Sequence, residues 1–212
     1  MNEIIVLVPG MYSPRVVMNT MARRLQKHGF NTLIFSNRFL SETPSENAQR
    51  LLHQIKALDA PSVHLLGHSL GGIVVMHLLK LNSELAAHDQ IADGRVVLMG
   101  APVQGSELAR LLFRMRWVRP FLGKSVNEGL LGNVPIALHG RQTGVICGSS
   151  RRGVSALFFK LAGTNDGVVS QSETEIDDAS DAFCIPQSHA LMLFSKESVE
   201  KSAAFFRSGR FV

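Results

Sequence analysis

The sequence predicts a doubly wound α/β fold, in which helices cover both faces of a mainly parallel six-stranded sheet. Short apolar runs alternate along the chain with longer amphipathic stretches. The runs are apolar on both faces, which is typical of strands in a parallel sheet covered on both sides. Of the 212 residues, 45% are hydrophobic and 18% are charged, which supplies a substantial core. We therefore expect residues 1–212 to form a single domain.

The apolar runs predict six strands and the amphipathic stretches predict the helices between them. Ser13 and Pro14 supply an N-cap and a first-turn proline for the first helix, and Thr43 or Ser45 caps the second. The predicted strands are 3–8, 31–37, 62–67, 94–100, 144–149 and 181–186, and the predicted helices are 14–28, 43–58, 70–81 and 188–206.

The segment 104–141 is too long for a plain connection between two strands. It begins with the helical pattern SELARLLFRMRWV and continues with a stretch interrupted by glycine and proline. We expect it to form a specificity insertion or lid. Much of the net charge of +5 lies in this segment, at Arg110, Arg114, Arg116, Arg119 and Lys124. An ordinary helix with its arginines in water is the simpler interpretation, and weak contact of residues 106–124 with a lipid surface is the alternative.

Composition argues against several other classes of protein. Aromatic and basic residues do not interleave along the whole chain, so we expect no nucleic-acid binding. Cys147 and Cys184 both lie in apolar runs and are expected to be free thiols, unless their strands are neighbours with suitable geometry. The start, MNEIIVLVPGM, lacks a basic region and a cleavage site and is interpreted as a strand. No apolar run reaches the roughly 20 residues of a membrane span, and we expect a cytoplasmic location.

The stretch GHSLGG, residues 67–72, lies where the third strand passes into a helix. The pattern G-x-S-x-G at such a junction is typical of a nucleophile elbow, a sharp turn that exposes Ser69. Small residues are needed at 67 and 71 because side chains there would collide with the neighbouring strand or helix, and Gly72 would let the helix pack close to the sheet. A phosphate-binding loop would need a lysine after the last glycine. A purely structural turn is the remaining alternative.

A nucleophilic serine needs a base and an orienting acid, which follow it in chain order as acid and then histidine. His189 follows the last predicted strand and is the favoured base, whereas His139 lies in the irregular segment. Asp166 lies in a turn between the fifth and sixth strands and is the favoured acid. The acidic cluster Asp177, Asp178 and Asp181 resembles an ordinary exposed face.

An oxyanion hole needs two backbone N–H groups. We expect one from Leu70, which follows Ser69, and the other from Met11 or Tyr12 in the loop after the first strand. Ligands of doubly wound sheets bind outside the carboxyl ends of strands, where the strand order reverses. Gly10, Tyr12 and His68 are therefore predicted to contact the substrate.

Five motifs, in this order along nearly the whole chain, give it a resemblance to the α/β-hydrolase superfamily, in particular to its small cap-less bacterial lipases and esterases. The motifs are VPGM (8–11), GHSLGG (67–72), MGAPVQGSELA (99–109), GTNDGVV (163–169) and SHALML (188–193). The resemblance implies a truncated sheet of order 2-1-3-4-5-6 and ester hydrolysis without a metal or organic cofactor. Pro9 departs from it, because many lipases have His-Gly where this chain has Pro-Gly.

These observations together predict a serine hydrolase that cleaves small acyl esters through an acyl-enzyme on Ser69. Acyl transfer and thioester cleavage with the same residues remain alternatives, and a non-catalytic binding protein on this fold is a further one. The prediction has a geometric form: Ser69 has a strained positive φ, and its hydroxyl lies within hydrogen-bond reach of His189.

Overall fold

The computed structural model describes residues 3–13, 15–136, 138–151 and 161–212. Within them the sheet has six strands in the order β2-β1-β3-β4-β5-β6, and all neighbouring strands are parallel. This confirms the predicted fold class and strand order. The strands are β1 (Glu3–Val8), β2 (Asn31–Ile34), β3 (Ser62–His68), β4 (Val96–Met99), β5 (Thr143–Gly148) and β6 (Asp181–Ile185).

Seven α-helices and three 3₁₀ turns connect these strands in the part of the chain that the structure describes. The helices are α1 (Arg15–Lys27), α2 (Pro44–Lys56), α3 (Leu70–Ser83), α4 (Glu107–Arg114), α5 (Arg119–Leu122), α6 (Gln171–Thr174) and α7 (Lys196–Ser208). The 3₁₀ turns are Ala87–Asp89, Gly123–Val126 and Leu191–Phe194. None of these helices is long and apolar enough to cross a bilayer.

The capping side chains decide where α2 begins. The Thr43 hydroxyl accepts the Glu46 N–H at 3.2 Å, and the Glu46 carboxylate accepts the Thr43 N–H at 2.7 Å. This reciprocal pair satisfies two backbone donors at the start of α2, so Thr43 and not Ser45 is the N-cap. Pro14, the predicted first-turn residue of α1, lies outside the described residues.

The last helix begins eight residues later than the sequence predicted. The Ser195 hydroxyl accepts the Ser198 N–H at 3.3 Å and caps α7. Residues 188–195 form a loop and the 3₁₀ turn instead. The difference matters for the site, because His189 is thereby placed in a loop rather than inside a helix.

Two apolar cores flank the sheet because consecutive strand residues face opposite sides. In β1, Val6 and Val8 pack with α2 and α3, whereas Ile5 and Leu7 pack with α1 and α7. All four side chains are fully buried. This burial on both faces explains why the strands are continuous apolar runs rather than alternating ones.

The segment 104–141 forms α4, α5 and a 3₁₀ turn rather than one longer helix. The helix α4 ends at Arg114 and buries only Leu108 and Ala109. Leu130 and Val134, further along, reach the core on the α2–α3 side of the sheet. The segment thus contributes to that core while leaving much of α4 uncovered, and its action as a lid stays a prediction.

Cys147 and Cys184 lie directly opposite each other on β5 and β6. Both are free thiols, as expected, although their strands are neighbours. Burial, together with the smaller effect of the hydrogen bond with Cys184, raises the pKa of the Cys147 thiol to about 12. Cys147 therefore remains a protonated thiol at neutral pH.

His64 is a buried titratable group at the opposite edge of the sheet from the carboxyl ends. Its ring centroid lies 5.0 Å from that of Phe206, and its Nδ1 accepts the Arg95 N–H at 2.9 Å. Burial lowers the pKa of His64 from 6.5 to about 4, and the charges of Arg95 and Arg141 add to this effect. Between pH 6.5 and about pH 4, His64 is therefore a neutral imidazole in the folded protein, whereas the same residue binds a proton in the unfolded chain.

This depressed pKa predicts that the free energy of unfolding falls as the pH is lowered from 6.5 towards 4. In that window the unfolded state binds more protons, so stability is lost with acidification by up to about 1.4 kcal/mol per pH unit for each such proton. Urea unfolding between pH 7.5 and pH 5 measures the slope. His64→Asn keeps an acceptor for the Arg95 N–H but no titratable group, and we expect a shallower slope. Equal slopes for the variant and the wild type would contradict the assignment.

Candidate active site

Ser69 lies in a tight turn between β3 and α3 with φ 55° and ψ −127°. A positive φ is strained for a residue with a side chain, and this part of the geometric prediction is confirmed. A Cβ at Gly71 would lie 2.0 Å from the Val8 carbonyl oxygen, and one at Gly67 would lie 2.5 Å from the Gly72 Cα. The spacing of the glycines is therefore a requirement of the turn.

The turn is also tied to the next strand and helix. The Ser69 N–H donates to the Met99 carbonyl at the end of β4, at 2.9 Å. A Cβ at Gly72 would lie 2.3 Å from the Ala101 Cβ, so only glycine lets α3 approach the β4 loop this closely. As predicted, Gly72 is a packing residue.

Asp166 is 1% exposed and lies in a turn whose backbone holds its carboxylate. Its Oδ1 accepts the Val168 N–H at 2.9 Å and the Val169 N–H at 2.7 Å. The side-chain Oδ1 of the neighbouring Asn165 accepts the Gly167 N–H at 3.1 Å, which fixes the same turn. Two backbone donors at Oδ1 leave Oδ2 free to bind a third partner.

His189 supplies that partner, with its Nδ1 2.7 Å from Asp166 Oδ2. The backbone repeats the contact, because the His189 N–H donates to the Asp166 carbonyl at 3.0 Å. A carboxylate only accepts, so Nδ1 carries the hydrogen and Nε2 is left as the basic nitrogen. The structure thus brings two of the predicted residues together in the predicted orientation.

His68 lies directly beside His189. Its Nε2 donates to the His189 carbonyl at 3.1 Å, and the two ring centroids are 4.8 Å apart. Burial lowers the pKa of His68 to about 3, and the charge of His189 contributes. At 2% exposure the ring offers no surface to a substrate, contrary to the contact expected from the sequence. It supports the His189 loop instead.

No hydrogen bond joins Ser69 Oγ to His189 Nε2 among the described residues, so the predicted contact is not formed in this state. The two residues are nevertheless gathered at one edge of the sheet. A Cβ at Gly10 would lie 2.7 Å from the Ser69 Cβ, and one at Gly100 would lie 3.2 Å from His189 Nδ1. Catalytic hydrogen bonds are often long or misaligned before a substrate binds.

Gly148 completes the pattern at the end of β5, where a Cβ would lie 2.8 Å from the Asp166 Cβ and 2.5 Å from the Gln187 carbonyl oxygen. A strand-end glycine therefore makes room for each of Ser69, His189 and Asp166. Gly100 and Gly148 were not predicted from the sequence as site residues. Their only signal was a glycine directly after an apolar run.

Leu70 and Met11 are the residues expected to donate backbone N–H groups to an oxyanion, and that role stays a prediction. Leu70 is the first residue of α3, so its N–H has no acceptor within the helix. Met11 directly follows Gly10, whose Cα lies against Ser69. Neither N–H donates to another residue in the described ranges. The positive end of the α3 dipole points at the same place.

A cavity of about 300 Å³ opens beside this loop, and Gly10, Tyr12, Phe35 and Phe39 are among its lining residues. Tyr12 has a φ of 50°, and its ring lies edge-on to that of Phe39 at 4.8 Å. Gly10 and Tyr12, both predicted to contact the substrate, thus line this cavity. Gly10 also approaches Ser69, which is not itself among the lining residues. No group of three or more His, Cys, Asp or Glu side chains in the described part of the chain is placed to hold a metal ion.

Solved structures share this architecture at low sequence identity. The Bacillus licheniformis lipase BlEst2 matches with a TM-score of 0.75 and 19% identity over 97% of this chain and 91% of its own. The α/β-hydrolase MGS-MChE2, from the metagenome of lagoon sediments at Mar Chica, Morocco, matches with a TM-score of 0.67 and 17% identity over 98% and 91%. A structure from a study of Nitrososphaera gargenis carboxylesterases matches with a TM-score of 0.66 and 15% identity over 98% and 91%.

No curated protein sequence matches the chain significantly. The family profile DUF7379, described as a domain of unknown function, matches residues 10–122. This range runs from the Gly10 loop through the Ser69 turn to the end of α5, and it covers more than half of the chain. The fold is that of the α/β-hydrolases, and the chain belongs to the DUF7379 family.

Proposed function

We propose that the protein is a serine hydrolase that cleaves carboxylic esters through an acyl-enzyme on Ser69. One observation carries the proposal: the Asp166–His189 hydrogen bond of 2.7 Å lies at the same edge of the sheet as the strained Ser69 turn. Solved structures with this fold are named as a lipase and as carboxylesterases, which supports the same class. A binding protein would need neither the strain at Ser69 nor the buried hydrogen bond between Asp166 and His189.

In the first half of the reaction, Ser69 Oγ attacks the ester carbonyl carbon while His189 Nε2 takes the hydroxyl proton. The Asp166 carboxylate holds Nδ1–H and stabilises the imidazolium that forms. The carbonyl oxygen becomes an oxyanion, which the Met11 and Leu70 N–H groups stabilise by hydrogen bonds. His189 then gives the proton to the departing alcohol oxygen, and the acyl group remains on Ser69.

The second half repeats these steps with water. His189 Nε2 takes a proton from water, and the resulting nucleophile attacks the acyl carbonyl carbon. The bond to Ser69 Oγ breaks, the proton returns to that oxygen and the carboxylic acid leaves. Protein groups alone supply the base, the acid and the oxyanion donors, so the proposal includes no metal or organic cofactor.

Substrate binding completes the site in this proposal. An ester carbonyl oxygen between the Met11 and Leu70 N–H groups places the carbonyl carbon over Ser69 Oγ. That contact favours the hydroxyl rotamer in which Oγ faces His189 Nε2. Gly10 and Tyr12 then contact the substrate, with the adjacent cavity available to one of its two chains.

Hydrolysis of p-nitrophenyl esters of increasing acyl length by the wild type and Ser69→Ala tests the proposal. We expect the wild type to turn over at least one ester and Ser69→Ala to lose about 10⁴-fold or more in kcat, because the variant has no nucleophile. Circular dichroism and thermal unfolding control for folding. Equal and slow rates for both proteins on every ester would overturn the proposal and favour a binding function.

His68 is proposed as a positioning residue, because its ring Nε2–H donates to the backbone carbonyl of His189 and holds that loop in place. His68→Phe keeps a ring in the buried site but removes this donor, so we expect kcat to fall roughly 10- to 100-fold through misplacement of the base. KM should change little, since His68 does not touch the substrate. His68→Gln retains an N–H donor at the same reach and is expected to recover most of the rate. If phenylalanine and glutamine variants have the same kcat, the hydrogen bond to His189 has no positioning effect.

A further inference from the structure

Exposed apolar side chains gather around the mouth of the candidate site. Tyr12, Leu40, Trp117 and Phe121, here called the aromatic rim, are between 52% and 77% exposed. They belong to the connections that follow β1, β2 and β4, whose carboxyl ends share one edge of the sheet. Single exposed apolar residues need no explanation, but a contiguous group marks an interaction surface.

Direct contacts link Tyr12 and Leu40 to the α5 region. The Tyr12 hydroxyl donates to the Phe121 carbonyl at 2.7 Å. The Lys124 N–H donates to the Leu40 carbonyl at 3.3 Å, and a Cβ at Gly123 would lie 2.5 Å from the Leu40 Cα. Trp117 lies in the turn that leads into α5. The loops after β1 and β2 therefore both contact the α5 region.

The charge around the rim is of one sign. Residues 108–127 contain five basic residues and no acidic one, and all five are exposed: Arg110, Arg114, Arg116, Arg119 and Lys124. We call them the basic group. None of them forms an ion pair with an acidic residue in the described ranges. Arg119 instead stacks on the Phe113 ring at 4.2 Å. The charge is thus available to an external anion.

The helix α4 adds a partly uncovered apolar face to this surface. Only Leu108 and Ala109 of α4 are buried, whereas residues 111–113, Leu-Leu-Phe, are partly exposed. Arg110 and Arg114 lie in water, as the simpler sequence interpretation expects, but the apolar side of the helix is not fully covered. Some apolar surface therefore remains beside the exposed arginines.

We infer that the aromatic rim and the basic group dock the protein on an anionic lipid surface. Tryptophan and tyrosine favour the headgroup region of a bilayer, whereas leucine and phenylalanine insert below that region. Arginine and lysine bind the lipid phosphates. A lipid surface fits better than a nucleic acid, because the rim contains aliphatic as well as aromatic side chains. Tyr12 belongs to both the rim and the cavity beside Ser69.

From this position of the rim we infer a class of substrate, and this inference rests on the proposed function. Esters held in an anionic membrane would enter at the rim, with an acyl chain passing Tyr12 into the cavity that Phe35 and Phe39 line. The docking itself needs no catalysis. The surface and the hydrolase activity can therefore be tested separately.

Binding of the full chain to vesicles is measured by co-sedimentation and by the emission of Trp117, the single tryptophan of the sequence. The vesicles contain phosphatidylcholine alone or an equal mixture with phosphatidylglycerol. We expect a blue shift and binding at least tenfold tighter on the anionic vesicles, weakened by salt because the attraction is electrostatic. Absence of a preference for anionic vesicles would overturn the inference.

Charge reversal at two members of the basic group tests where the membrane binds. Arg114→Glu with Arg116→Glu should weaken binding at least tenfold. Arg23→Glu with Lys27→Glu, at exposed positions near the far end of α1, changes the net charge equally and should retain binding. Trp117→Ala should also weaken co-sedimentation. Equal losses for the two charge-reversal pairs would mean that net charge alone drives binding and would contradict a docking surface.

Ser69→Ala separates the two proposals, because it should bind vesicles like the wild type. Vesicle binding without any ester hydrolysis by the wild type would support the docking surface and refute the proposed function.

A labelled DNA or RNA duplex tests whether nucleic acid, rather than lipid, binds this surface. If a duplex bound more tightly than the vesicles and displaced them through Arg114 and Arg116, the surface would be assigned to nucleic acid and the lipid inference would fail.

Discussion

The left-handed backbone of Ser69 is the constraint on which the site depends. Such a conformation costs about 1–3 kcal/mol for a residue with a side chain, so the surroundings must hold it. Gly71 lies against the Val8 carbonyl at the end of β1, and the Ser69 N–H donates to Met99 at the end of β4. The strands on both sides of β3 therefore fix the turn. Its stability is a property of the packed sheet rather than of the six-residue motif.

The same edge of the sheet explains how three distant segments meet. A glycine lies at or just after the carboxyl end of three strands, where a side chain would collide with a site residue. Gly10 leaves space for Ser69, Gly100 for His189 and Gly148 for Asp166. His68 joins two of these segments, because it precedes the turn in the chain and donates to the His189 carbonyl. Docking by the aromatic rim would set this edge against a membrane, with Tyr12 between the lipid and Ser69.

Local signals in the sequence predict the strands, the Ser69 turn and the residues of the Asp166–His189 pair. The order of the sheet came instead from the resemblance to the α/β-hydrolases. Apolar runs, glycine spacing and position after a strand are all visible in a few adjacent residues. The predicted start of α7 was wrong because the apolar run Leu191–Phe194 forms a 3₁₀ turn, and the helix begins only after its Ser195 cap. The burial of His68 depends on a loop 121 residues away in the chain, and the spaces at Gly100 and Gly148 depend on contacts of the same long range. No local pattern encodes these.

Covalent trapping of the nucleophile tests the central claim most directly. The wild type is treated with a fluorophosphonate, digested and mapped by mass spectrometry, with heat-unfolded protein as the control. We expect one adduct per chain, on the peptide that contains Ser69, and none on the unfolded protein, because only the folded site activates that hydroxyl. An unmodified Ser69, or an adduct confined to another residue, would contradict it.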